Sequence, residues 1–466
     1  MLRFSRPKTV HRIALLGFGE LLVLAGSLNL ATHIRYFRYP EELVQFSYRM
    51  PERSFIFAVA MLLSMAALGL YDTHMRTNWF GVLAHQVVAF IVGTVFLSVG
   101  YYVLPQAYVG RGVMTIALLL GFVGVTAFRT VFLRLCDIKA LKRRVLILGA
   151  GERASQFHFR MRRRSDRRNF CLVGYVPRPN EIVAVPFDQL IHGDQPLHAV
   201  IQVQQVDEIV VGVDDRRGSL PMDDLLECKQ LGVPVTDLAT FFERESGRVQ
   251  LGLVDPSWLV FSAGFHATPL RLVSKRCFDL AVAVVIIALS WPLMLGVWLA
   301  IRLESGPGQP ILYRQERVGE HGQTFWMVKF RSMRTDAERD GVARWASKQD
   351  DRVTRVGRIT RKLRLDELPQ LWNVLTGDMS IVGPRPERPQ FVSELATKIR
   401  YYNVRHSLKP GLTGWAQLLY PYGASEQEAA EKLKYDLFYV KNHNLVLDLL
   451  ILIQTLEVVL FGRGAR

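Results

Sequence analysis

Apolar residues in this chain fall into runs of two lengths, and the lengths divide it. Four long runs lie in the first third, at about 13–31, 54–71, 83–104 and 113–133. Each approaches the ~20 apolar residues a helix needs to cross hydrocarbon. Four crossings return the chain to its starting side. Arg3, Arg6, Lys8 and Arg12 precede the block, and Arg134, Lys139, Lys142, Arg143 and Arg144 follow it. Basic flanks mark the cytoplasm, although Arg35, Arg38, Arg49 and Arg53 in the first external loop pull the other way. The basic start lacks a clear small-residue cleavage pattern, so it reads as a retained anchor. Glu20 interrupts the first run. It is either a functional intramembrane acid or, on the commoner reading, a residue that faces a neighbouring helix or sits shallow.

After Arg144 the runs shorten. Val145 to Leu148 reads as a buried strand, followed by Gly149-Ala150-Gly151-Glu152-Arg153-Ala154. This is the G-x-G-x-x-A form of a strand–turn–helix loop. Further strands are expected at Cys171 to Val176, Ile209 to Val213 and Val233 to Thr236, with helical patterns between them. That alternation predicts a Rossmann-like α/β unit over about 139–240. Gly149, Gly151 and Ala154 are candidate nucleotide or nucleotide-sugar contacts. The second strand runs into Pro177-Arg178-Pro179 rather than an acid that would hold a ribose, which argues against NAD. A glycine turn needed only for tight packing fits the loop equally well. Residues 241–270 read as a linker, with Phe241, Phe242 and Trp258 at a membrane interface or between domains.

A fifth long run extends over about 276–303. Ser290-Trp291-Pro292 sits in its middle, and an interior proline breaks or bends a helix. Basic residues flank both ends, which suits a re-entrant segment; a kinked full span remains open. Strand-like pieces follow at Ile311 to Gly319 and Phe325 to Met333. If extended, Lys329 and Arg331 share one face. Arg355, Arg358, Arg361 and Lys362 recur at helical spacing, as a phosphate-facing stripe or a face lying on anionic headgroups. The last run, about 445–461, carries Asp448, Gln454 and Glu457. It suits an amphipathic helix on the membrane or on a partner subunit.

Composition narrows the function classes. The 466 residues are 50% hydrophobic and 21% charged, with a formal net charge of +16. Both values fit one chain only if spans and charged domains are separate. A basic excess serves nucleic acid, anionic lipid or phosphorylated substrates; the spans favour the last two, and no nucleic-acid partner is expected. Cys136, Cys171, Cys228 and Cys277 are dispersed. No zinc site or disulfide framework is expected, which fits a reducing compartment.

The candidate chemistry lies in Arg361 to Asn373, where Asp366 and Glu367 sit adjacent inside a basic run. Pro369 fits only the first turn of a helix. Asp366 is therefore expected at or just before a helix N-terminus, where backbone N–H groups collect phosphates. A divalent cation would sit on Asp366 and Glu367 and neutralise the facing phosphate. Asp366 as a simple N-cap is the competing reading.

These residues resemble a known family. Lys275 to Asp279, Lys329-Phe330-Arg331-Ser332-Met333, Leu365 to Leu371, Gly377 to Glu387 and Lys409 to Trp415 are similar to the ordered motifs of the bacterial sugar transferases. These are monotopic phosphoglycosyl transferases acting on polyprenyl phosphate. The resemblance covers about 271–466, and the block over 1–138 plus the Rossmann-like unit is similar to the large, exopolysaccharide-initiating members. It implies a membrane protein with an α-helical N-terminal bundle, an α/β Rossmann-like domain, and a mainly α transferase domain with a re-entrant helix turning at Ser290 and Pro292. It also implies that Asp366 attacks a UDP-sugar and releases UMP through a phosphosugar-aspartyl intermediate, which then loads polyprenyl phosphate. Glu367 would orient Asp366 or help hold Mg²⁺. Lys329, Arg331, Arg361, Arg385, Pro384 and Pro386 would bind substrate. Membrane lipids are implied partners and a homodimer is compatible; the catalytic domain would face the cytoplasm at a bacterial inner membrane. A nucleotide-sugar dehydratase or epimerase would need a Tyr-x-x-x-Lys pair, and no tyrosine here has lysine four residues on. A scaffold or scramblase of polysaccharide assembly would not need Asp366 and Glu367.

Overall fold

A computed structural model describes residues 7–68, 70–71, 79–103, 105, 108–135, 142–161, 167, 170–179, 181–191, 196–215, 220–254, 268–306, 308–335, 351–420 and 425–461. Cys136 and Trp258 lie outside them. The chain divides into two compact units, Met1–Ser246 and Gly247–Arg466. Among the described residues, five helices are long and apolar enough to cross a membrane.

The first unit opens with α1 (Pro7–Tyr36), α2 (Pro40–Ser47), α3 (Met50–Ala67), α4 (Trp79–Val103) and α5 (Arg111–Leu135). α1 packs on α5 and α3, and α3 packs on α4. Glu20 is fully buried on α1. Arg129 of α5 grips it with two bonds of 2.7 and 2.9 Å, and the Tyr71 hydroxyl donates to it. A charge at this depth is tolerable only when paired and hydrogen-bonded. Glu20 thus faces a neighbouring helix, the first of the two placements in its commoner reading.

The rest of this unit is a parallel sheet: β1 (Arg143–Leu148), β2 (Phe170–Val176), β3 (Glu208–Val211) and β4 (Val235–Asp237), in the order β2-β1-β3-β4. Helices α6 (Glu152–Arg160), α7 (Leu197–Gln204) and α8 (Met222–Gln230) alternate with the strands, and α9 (Leu238–Ser246) closes the unit. Val145 to Leu148 are fully buried, which is why they read as a continuous apolar run. Phe241 and Phe242, expected in a linker, are buried in α9 and pack on Phe157; Phe241 also meets Phe170.

The second unit is built on α10 (Pro269–Ser305), 37 residues long. It is helical throughout, with Pro292 inside it. One narrow stripe of α10, Asp279, Ala283, Ser290, Val297 and Ile301, is buried. Leu289, Trp291, Leu293, Leu295, Trp298 and Leu299 are exposed around the proline. Both ends hold the same folded body. Near the start, Lys275 bonds Asp279 (2.9 Å) and Asp448 (2.8 Å), and Arg276 donates to the carbonyls of Val374 and Leu375. Near the end, Glu304 accepts from the backbone N–H of Arg355 at 2.8 Å.

That body contains an antiparallel hairpin, β5 (Leu312–Val318) and β6 (Thr324–Phe330), with Tyr313 opposite Lys329. Then come α11 (Arg355–Lys362), a 3₁₀ turn (Leu365–Glu367), α12 (Gln370–Thr376), β7 (Ser380–Val382), α13 (Pro389–Lys398), β8 (Gly411–Thr413, parallel to β7), α14 (Trp415–Leu419), α15 (Glu426–Asn442) and α16 (Leu445–Phe461). Ala283, Met327, Leu371, Val374, Ile381, Tyr439 and Ile451 form the core that joins α10, β6, α12, β7, α15 and α16. The sequence of α16 reads as an amphipathic helix on the membrane or on a partner subunit. Asp448 points inward, bonded to Lys275 and to the Tyr439 hydroxyl at 2.7 Å.

Candidate active site

Three segments converge around Glu367. The first is β6, which presents Lys329. It is clamped to α12 by Asn373, whose side chain accepts from the Val328 N–H (3.0 Å) and donates to the Trp326 carbonyl (2.8 Å). A carboxamide that bonds a strand edge in this way fixes the distance from strand to helix. The second is the turn Leu365–Glu367. Arg364 precedes it at φ +56°, a conformation costly for a side chain bearing a Cβ. That reversal lets the chain leave α11 and start the helical run toward α12 within a few residues. α12 begins at Gln370 with Pro369 at its N-cap, and no side-chain cap bond is present. Asp366 therefore lies just before a helix N-terminus without capping it.

The third segment is Gly383 to Glu387, which follows β7. A Cβ on Gly411 would lie 2.0 Å from the Gly383 nitrogen, and one on Gly383 would lie 2.4 Å from the Lys409 carbonyl oxygen. Only glycines allow these backbones to meet. The Gly411 N–H bonds the Pro384 carbonyl (2.9 Å), and the Gly383 N–H bonds the Thr413 carbonyl (2.9 Å). This junction aims Arg385 at Glu367: Nη2 donates to Oε1 at 2.9 Å, while Nη1 donates to Gln417 at 3.0 Å. Lys329 Nζ stands 3.7 Å from the same Glu367 oxygen, and Arg364 Nη1 stands 3.6 Å from the other.

Beside this cluster is a small cleft lined by Arg317, Met327, Lys329, Gln370, Arg385, Pro386 and Gly411. The structure thus brings together Lys329, Asp366, Glu367, Arg385 and Pro386, and Arg361 is near enough to act on the Asp366 charge. Pro384 stays at the backbone junction. Arg331 goes elsewhere: its N–H bonds the Ile311 carbonyl and its guanidinium reaches Gln309 at 3.4 Å. That N–H bond continues the β5–β6 pairing one residue past the Leu312–Phe330 pair.

Residues 270–462 match the family model described as bacterial sugar transferase. A UDP-glucose:undecaprenyl-phosphate glucose-1-phosphate transferase of Caulobacter vibrioides is 43% identical over 188 residues, which are 40% of this chain and 69% of that protein. The chain belongs to the bacterial sugar transferase family. A UDP-N-acetylgalactosamine-undecaprenyl-phosphate N-acetylgalactosaminephosphotransferase of Aeromonas hydrophila is 41% identical over 52% of this chain and 56% of its own length. A UDP-glucose:undecaprenyl-phosphate glucose-1-phosphate transferase of Xanthomonas campestris pv. campestris is 38% identical over 50% of this chain and 48% of its own. The chain thus spans about half the length of these two curated relatives.

Electrostatics separate the two carboxylates of this sugar transferase. Burial alone would raise Glu367, but Arg385, Lys329 and Arg364 outweigh it and hold its carboxyl at about 2. Asp366 moves the other way, raised by burial and by the charge of Glu367 against the opposing pull of Lys329 and Arg361. Among the described residues Asp366 has no ion pair, whereas Glu367 has three. Burial lowers Lys329 to about 8, with Glu367 resisting and Arg385 and Arg317 adding to the shift. One carboxylate is therefore locked as a counter-ion and the other is left with a free valence. That donor set fits a Mg²⁺ arriving with substrate phosphates, because such an ion needs only one or two carboxylates besides phosphate and water. The oxygens of Glu367 already face cations, so Asp366 is the better ligand.

Sequence reasoning did not assign Arg317, Gln370, Asn373 or Gln417 to this site. Arg317 sits in a polar stretch of β5 that reads as a solvated edge. Gln370 and Asn373 read as ordinary helix residues beside the acidic pair.

The glycine loop of the sugar transferase's α/β sheet is already filled. The carboxylate of Asp214 accepts from the N–H groups of Glu152 (2.8 Å) and Arg153 (2.6 Å) at the start of α6. Glu181 accepts from the Ala150 N–H at 2.9 Å. A Cβ on Gly151 would lie 2.0 Å from the Asp214 carboxylate, and Gly149 has φ +111°. The anion seat at this helix N-terminus thus holds the chain's own carboxylates.

Proposed function

We propose that this chain transfers a sugar-1-phosphate from a UDP-sugar to polyprenyl phosphate, with Asp366 as nucleophile. The carrying observation is the division of labour in the acidic pair: Glu367 is neutralised by three cations, while Asp366 has no ion pair among the described residues and lies near a cleft lined by Lys329, Arg385 and Arg317. Ionised Asp366 attacks the sugar-bearing phosphorus. The new aspartyl O–P bond forms as the bond to the UMP oxygen breaks, and UMP leaves with that electron pair. A phosphate oxygen of the polyprenyl acceptor then attacks the same phosphorus and the aspartate departs. Lys329, Arg385 and Arg317 face the charge that gathers on phosphoryl oxygens and the leaving group, where preorganised cations act most strongly. Asp366, with Glu367 behind it, would hold a Mg²⁺ that neutralises donor phosphate charge.

The acceptor is a lipid, so the site must meet headgroups. The two ends of α10 bind one folded body and its proline-centred middle is exposed. This supports a re-entrant segment rather than a span; the basic residues that flank the apolar runs favour a cleft on the cytoplasmic face of a bacterial inner membrane. The sugar stays unassigned, because the relatives' names differ in it. UMP release by the full chain in nanodiscs, with Mg²⁺, undecaprenyl phosphate and a panel of UDP-sugars, tests the reading. Turnover lost in Asp366→Asn, with the fold retained, is the expected result. Turnover retained in that variant removes Asp366 as nucleophile. Absence of UMP release from the wild type with every donor removes the activity and favours a scaffold.

A further inference from the structure

Gln370 opens α12 four residues after Asp366. The intervening Leu368 and Pro369 both have helical φ and ψ. The backbone bonds through this run close three residues apart, from Leu368 to Leu365 and from Leu371 to Leu368, so it is a 3₁₀ turn; Gln370 is joined to the acidic turn through the cleft, which it lines beside Lys329. It is only 4% exposed, and its amide nitrogen Nε2 is buried without a hydrogen-bond partner. A buried N–H donor left unpaired is costly, and native structures rarely keep one without a reason.

The cleft that Gln370 lines offers it little to donate to. Arg317, Lys329 and Arg385 are donors only. The Pro386 carbonyl already accepts from Arg317 at 3.1 Å. Arg317 has an unpartnered buried Nε of its own. Lys329 and Arg385 face Glu367, and Arg317 stands 3.7 Å from Glu387, so it is the two orphan donors that call for a further group, and that group is rich in acceptors.

Given a nucleotide-sugar transferase, as proposed above, we infer that Gln370 is a donor-binding residue whose carboxamide Nε2 donates to an oxygen of the sugar-bearing phosphate. Its place in the cleft beside Lys329, whose charge acts on Asp366, favours that phosphate over the one carried away in UMP. A donor aimed at the phosphorus under attack steadies the charge that builds on its oxygens during displacement. A carboxamide suits this position because, unlike a further cation, it adds no charge to a cleft in which Lys329 is already pushed toward neutrality.

UDP carries a phosphate where the sugar-bearing one would sit, and UMP does not. Calorimetric titration of both into the full chain in nanodiscs with Mg²⁺ separates the two positions. Gln370→Met removes the donor and keeps the volume. It is expected to weaken UDP about tenfold, the usual scale for one charge-assisted hydrogen bond, and UMP less than about twofold. Gln370→Glu is expected to weaken UDP more than Gln370→Met does, through like-charge repulsion, and Arg317 and Lys329 can pair with it in the apo fold. It carries the comparison if Gln370→Met does not fold. Equal weakening of UDP and UMP, or UDP binding as tight as wild type, overturns the inference, as does a wild type that binds no UDP. A wild type that binds UDP through Gln370 but releases no UMP from any UDP-sugar removes the transferase reading alone. Normal UMP release by Gln370→Met removes the Gln370 assignment alone.

Discussion

Arg385 donates to Glu367 at 2.9 Å with one end of its guanidinium and to Gln417 at 3.0 Å with the other. Its backbone carbonyl is held at 2.9 Å by Arg405, which is itself paired with Asp436 at 2.8 Å. The fork thus bridges the acidic turn and α14, and a buried ion pair anchors its base. A lysine cannot span two acceptors in this way. Arg385→Lys is expected to lower kcat/KM for UMP release on the order of 10²-fold, the scale for losing one oriented donor. Stability should fall by less than about 1 kcal/mol, because the side chain is part-exposed and such pairs contribute little. A loss of stability matching the loss of activity would make Arg385 a structural residue only.

The acidic pair sets a pH window. Asp366 must be ionised to attack, and its carboxyl is raised, so kcat/KM falls as pH drops through that value. Lys329 must be charged to face phosphate, and it sits at about 8, so kcat/KM falls again as pH rises through it. The Glu367 charge raises both groups. Glu367→Gln should therefore move both limbs of the profile to lower pH. A profile that keeps its limbs and gains only a higher Mg²⁺ requirement would make Glu367 a metal ligand instead.

Sequence and structure agree where one residue type dictates the local answer. Long apolar runs declared their helices, and Pro369 announced a helix start beside Asp366. Gly149 and Gly151 announced a strand–turn–helix loop. What fills that loop was hidden, because Asp214 and Glu181 arrive from other parts of the sheet. Gln370 and Arg317 were hidden for a related reason: their meaning lies in a missing partner, which only three-dimensional neighbours reveal. The contact between the Gly383 and Gly411 backbones was not legible in the sequence, because the two lie in motifs far apart along the chain.

Within the α/β sheet, Gly151 and Asp214 should behave as one unit. Asp214→Ala frees two N–H groups at a helix start and is expected to cost about 1–2 kcal/mol. Gly151→Ala drives a methyl into the carboxylate and is expected to cost about 1–3 kcal/mol. In the Asp214→Ala background that second cost should largely vanish, since the clashing group is gone. Denaturation midpoints of the three variants check this; strict additivity would mean that the glycine is there for another reason.

The two ends of α10 should be reachable from one side of the membrane. Cys277 lies near its start and is exposed, and Leu303→Cys would add an exposed site near its end. In inverted vesicles of a variant lacking the other cysteines, an impermeant thiol reagent should label both positions. Labelling of one position only would establish a span and displace the cleft from the headgroups.

The most direct measurement mixes the full chain with labelled UDP-sugar and Mg²⁺ in the absence of any lipid acceptor, then maps the label by peptide mass spectrometry. The expected result is one sugar phosphate on the peptide holding Asp366, appearing together with UMP and discharged when undecaprenyl phosphate is added. UMP released by a competent enzyme with no label on Asp366 would contradict the account.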